Sequence, residues 1–124
     1  MLKLLKKPKL TAILALMFYG TWASYSNFEF GYSIAITAFM IQGSFAFTST
    51  LVSGYTALFL MKKLQHFSHY LLWSYLITMA LLVSIPFVLH TVFLTPNKLL
   101  SMAPGMVIGG LYIATLLRLH SKSN

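Results

Sequence analysis

The chain has 124 residues, of which 58% are hydrophobic and 8% charged, with nine Lys or Arg against a single Asp or Glu and a formal net charge of +8. A soluble domain carries about 25% charged residues, so most of this surface lacks a water-compatible coat and lipid is the solvent that fits. The cations sit in short clusters between apolar runs, which sets nucleic acid aside as a partner, and the lack of cysteine removes disulfides and thiolate metal sites.

A helix needs about 20 largely apolar residues to cross the hydrocarbon layer. Four stretches qualify, at 10–26, 33–61, 70–94 and 99–119. The separators 27–32, 62–69 and 95–98 are short, so consecutive spans are expected to form antiparallel hairpins. The predicted fold is an all-α membrane protein, a single integral membrane domain over 1–124 built as an up-down bundle of four transmembrane helices.

The first span follows Lys3, Lys6, Lys7 and Lys9, expected to set topology and to meet anionic lipid headgroups. With the N-terminus inside, these join Lys62, Lys63, Arg118 and Lys122 on the cytoplasmic side, leaving Lys98 and the one acid, Glu29, outside. That bias predicts both termini inside. It disfavours dual insertion and makes any homo-oligomer parallel. A cleaved signal peptide is the alternative for this segment, given Ala23 and Ser24 after an apolar run. Phe18, Tyr19, Trp22 and Tyr25 make a poor cleavage region and a good interfacial belt, which favours a retained span.

The second span carries Gln42, Gly43, Ala46, Ser49, Thr50, Ser53, Gly54 and Ala57 at three-, four- and seven-residue spacings, which puts them on one helix face. Helices in lipid associate through such small and weakly polar faces, so this span is expected to be central. In the third span Pro86 removes a backbone hydrogen bond and predicts a kink. Thr95–Pro96 reads as an N-cap and first-turn proline for the fourth span. There Pro104 predicts a second kink, and Gly105 with Gly109, then Gly110 with Ala114, form small-residue pairs. Such a face serves close packing within the subunit or docking on another chain.

At about 1.5 Å per residue, Pro86, Pro104 and Gln42 reach similar depths, roughly 8–15 Å from the same membrane side. Two interrupted backbones and an amide at one level suggest an outward-facing polar cleft lined by Tyr25, Gln42, Ser84 and His90, with Glu29 near its mouth. The competing reading is a pair of ordinary kinks satisfied by Ser and Thr side chains.

Chemistry finds little purchase. No Asp or Glu lies in a span, which disfavours proton coupling within one chain. Ser53 lies about 30 Å below the outer end of its helix and Ser44 roughly 10 Å deeper than His90, so neither pairs with that histidine as a nucleophile. His66, His69 and His120 share a side but have no thiol or carboxylate beside them. No catalytic, cofactor-binding or metal-binding residue is expected, and the chain is not expected to be an enzyme.

The segment Phe18–Ala23 with Tyr25 and Asn27, the run Gln42–Phe45, and Thr95–Pro96 with Pro104 and Tyr112 together resemble a group of small four-span bacterial inner-membrane proteins. That resemblance implies an inner-membrane location. In size and span count the chain is also similar to GtrA-like proteins, which are thought to move polyprenyl-phosphate-linked sugars or to assist glycosyltransferases. It departs from them in lacking a glycine-rich first span. The expected role is a non-enzymatic accessory or scaffold subunit that meets a protein partner or a second copy through the second and fourth spans. The alternative is a minimal carrier for an amphipathic or lipid-linked molecule, working through the outer cleft.

Overall fold

The computed structural model describes residues 7–122, apart from the Lys122 side chain, so the expectations for Lys3, Lys6 and that side chain lie outside the described residues. The described chain folds into α1 (Pro8–Ser26), a short 3-10 helix (Phe28–Phe30), α2 (Tyr32–Lys63), α3 (Tyr70–Val92) and α4 (Lys98–Lys122), with no strand among them. Three helices are long and apolar enough to cross a membrane. These are Tyr32–Lys63, Tyr70–Val92 and Lys98–Ser121, with mean hydropathies of 1.4, 2.0 and 1.7. The fourth helix, α1, is more polar, because Lys9 opens it and Tyr19, Thr21, Trp22 and Ser24 fill its second half.

The chain ends each helix with recognisable local chemistry. Pro8 opens α1, where a missing N–H costs nothing. Gly31 has φ of 107° and joins the 3-10 turn to α2 in a conformation that L side chains avoid. Lys62 and Lys63 occupy the last turn of α2, where the helix dipole favours cations. The end of α3 is a Schellman turn: Thr95 N–H donates to His90 O at 2.9 Å and Leu94 N–H to Thr91 O at 3.2 Å. Its left-handed position is held by Leu94, at φ 59°, rather than by a glycine. The turn carries Thr95 back toward α3, so its hydroxyl reaches His90 instead of capping α4. Pro96 accordingly lies in the turn, ahead of the first residue of α4.

Glycines set the helix contacts. A Cβ on Gly43 would meet the Leu16 carbonyl at 3.2 Å, and one on Gly20 would meet the Phe39 ring at 3.0 Å, so α1 and α2 approach as only small residues permit. Gly54 lies under Tyr112 and Leu116 of α4, and Gly110 under Tyr75 and Met79 of α3. Both α2 and α4 pack against all three other helices, while α1 and α3 do not touch. The central pair is therefore α2 with α4. Near the end of α2, Ala57 and Met61 pack on Ile113 and Leu117 to form the apolar core. Large side chains such as Leu72, Leu81, Val88 and Leu111 remain exposed on the outer faces, as a lipid-facing surface requires.

Candidate functional site

Two polar clusters lie at one end of the bundle, where α1 ends, α3 ends and α4 begins. The first centres on Asn27, which is 0% exposed. Its Nδ2 donates to Ala23 O at 2.8 Å and to the Ser101 hydroxyl at 2.7 Å. Its Oδ1 accepts the Asn97 backbone N–H at 2.9 Å. The amide's orientation follows from these partners, since a carbonyl only accepts and an N–H only donates. Ser101 passes its own proton to Asn97 O at 2.7 Å, and Asn97 Nδ2 donates to Ser26 O at 2.7 Å. Beside this cluster Trp22 Nε1–H donates to Leu100 O at 2.8 Å. Together these bonds stitch the last turn of α1 to the first turn of α4.

The second cluster joins α2 to α3. His90 is 0% exposed, Gln42 3% and Thr95 6%. His90 Nε2 lies 2.9 Å from Gln42 Oε1, and Nδ1 lies 2.9 Å from Thr95 Oγ1. Because Oε1 only accepts, Nε2 carries the proton, and the Nδ1 of a neutral ring then accepts from the threonine hydroxyl. Gly105 faces this amide, and a Cβ there would sit in ordinary contact, 3.6 Å from Gln42 Nε2. No buried polar side-chain atom lacks a hydrogen-bond partner among the described residues.

Of the five residues expected around an outer cleft, Gln42 and His90 come together, and they close on each other rather than on a solvent-filled space. Tyr25 is 76% exposed and stacks obliquely on Trp22, while Glu29 and Ser84 are also exposed. Pro86 is buried one turn before His90, and Pro104 is half-buried one residue before Gly105. Among the expected packing residues, Ser49 and Thr50 turn their hydroxyls back onto Ala46 O at 3.3 and 2.6 Å. Ser53 is buried. Gly43, Gly54, Gly105 and Gly110 each face a neighbouring helix, whereas a Cβ on Gly109 would meet nothing within 4 Å. Lys7, Lys9, Lys62 and Lys63 are exposed.

Sequence reasoning did not single out Asn27, Asn97, Ser101 and Trp22 as one cluster. The available signal was an Asn closing the first span and an Asn opening the fourth, each within a short separator. Among the described residues no three His, Asp or Glu side chains gather as a metal site. Comparison with family models, curated proteins and solved structures finds no match for the chain.

Proposed function

We propose that the chain is a four-span inner-membrane protein with both termini on the cytoplasmic side, acting as a non-enzymatic accessory or scaffold subunit. Its surface does the work, by helix packing against a protein partner or a parallel second copy. The supporting observation is that Gln42 and His90, two polar groups of the expected cleft, bond each other in a closed cluster. Polar groups spent in this way lock helices together and are not presented to a passing substrate. A carrier would need them facing water.

The topology rests on charge. Lys7 and Lys9 open α1, Lys62 and Lys63 close α2, and Arg118 lies near the end of α4, while Lys98 and Glu29 lie at the other ends. With α1 as a crossing helix, its close glycine contact with α2 is an intramembrane helix pair. On the partner side, Gly109 is the glycine of α4 beside which no described residue fills the space a side chain would take. Val107, Ile108 and Leu111 beside it are exposed.

The test is co-purification in mild detergent with and without Gly109→Leu. The native chain is expected to bring down a stoichiometric membrane partner or a second copy, and G109L to lose it while unfolding at the same temperature. A lone monomer, with no crosslink formed from Gly109→Cys in membranes, sinks the proposal.

A further inference from the structure

The turn at 64–69, between α2 and α3, has a pocket on each flank. One, of about 390 Å³, is lined by Leu64, Phe67, Ser68, Trp73 and Ile77 and is almost wholly apolar. The other, of about 420 Å³, is lined by Phe59, Lys62, Lys63, Gln65 and His66. Four of its five side chains carry nitrogen, and none is acidic. The Lys63 ammonium stands 5.7 Å from the centre of the Phe59 ring, so it too lies over the pocket's apolar side.

No carboxylate side chain of this chain neutralises these lysines. Its one acid, Glu29, precedes α2, and the 32 residues of α2 separate the two ends by about 48 Å. The dipole of α2 offsets only a partial charge, roughly half an elementary charge against two. An anion from outside would complement these lysines. We infer that this pocket binds the phosphate group of an anionic membrane lipid. Lys62 and Lys63 form ion pairs with it, and the Gln65 amide and the His66 ring N–H add hydrogen bonds. The exposed rings of Phe59, Phe67 and Trp73 set this turn at the hydrocarbon boundary, where lipid phosphates lie and aromatic side chains concentrate. Two lysines match a phosphomonoester, with its second charge, better than a phosphodiester. The ranking is therefore phosphatidic acid above phosphatidylglycerol, with phosphatidylcholine last.

Native mass spectrometry of the detergent-purified chain, offered equal amounts of these three lipids, reads the ranking directly. K62Q/K63Q is expected to lower phosphatidic acid retention about 25-fold, at about five-fold per lysine. K7Q/K9Q removes the same charge elsewhere and is expected to change retention less than about two-fold. Q65L/H66L keeps every topology-setting lysine and is expected to lower retention at least about three-fold. Millimolar inorganic phosphate is expected to displace nothing. Equal retention of phosphatidylcholine, no loss in either pocket variant, an equal loss in K7Q/K9Q, or displacement by free phosphate each overturns the assignment. The last outcome would make it a soluble-phosphate site. None of these outcomes bears on whether a partner docks at Gly109.

Discussion

Trp22 gives its indole N–H to the carbonyl that Pro104 leaves without a donor. In a regular helix Leu100 O accepts from the N–H four residues on, and that residue is Pro104, which has none. The indole takes its place at 2.8 Å, from a different helix. The proline in α4 and the aromatic residue in α1 thus act as one device. Trp22→Phe is expected to destabilise the bundle by about 1–2 kcal/mol. In a P104A background, where the helical N–H returns, the same substitution is expected to cost less than half as much. Thermal unfolding of the four proteins in detergent gives the coupling, and additive losses would show that the two residues act independently.

Asn27 uses both donors and its acceptor inside the protein. Asn27→Asp removes both donors and sets a carboxylate oxygen against Ala23 O. It is expected to cost about 2–4 kcal/mol, and Ser101→Ala only about 1 kcal/mol, because Asn27 keeps its other two bonds. Denaturant titration of both variants checks the order, and a milder effect from N27D than from S101A contradicts the network as described.

Leu94 holds a left-handed backbone conformation with its side chain 80% exposed. It therefore carries the steric cost of that conformation, about 1–2 kcal/mol, with little packing in return. Leu94→Gly is expected to raise the unfolding temperature, by an amount worth about 1 kcal/mol after glycine's extra chain entropy is subtracted. A lower unfolding temperature would mean that lipid contacts of the leucine outweigh the strain.

Gly43 and Gly109 should respond oppositely to the same change. A Cβ at Gly43 meets a backbone carbonyl at 3.2 Å, which no rotamer change relieves, whereas Gly109 has open space. Gly43→Ala is expected to cost about 1–3 kcal/mol. Gly109→Ala is expected to be neutral or to gain up to about 1 kcal/mol from helix propensity. Thermal unfolding of the isolated subunit decides this.

Cysteines at Gln42 and His90 are expected to resist membrane-impermeant maleimides applied from either side, while one at Glu29 reacts within minutes. Fast labelling at Gln42→Cys with the fold intact would revive the carrier reading.

The sequence located the helices well because apolar run length and the punctuation at Asn27, Lys62 and Thr95 are one-dimensional signals. It also placed Gln42 and His90 in the same half of the membrane, since depth follows from counting about 1.5 Å per residue. Rotation about each helix axis does not follow from counting. Ser84 and His90 share α3, yet one faces outward and the other inward, and this divides residues that depth alone had grouped. The same gap hid the pairing of Asn27 with Asn97 and Ser101, about 70 residues later. These side chains sit where helices end, and the helical face pattern carries no information there. Trp22 read as an interfacial anchor because its donor's destination is set by a proline on another helix.

The placement of these bonds has a mechanical consequence. The side-chain hydrogen bonds between different helices gather toward the end of the bundle that holds Asn27, His90 and Thr95. The opposite end is held by the apolar contacts of Ala57, Met61, Ile113 and Leu117, which have no directional preference. The bundle is therefore built like a clothes peg, riveted at one end and sprung at the other. Any splaying of the helices pivots on the riveted end and has its greatest travel beside the turn that carries Lys62 and Lys63.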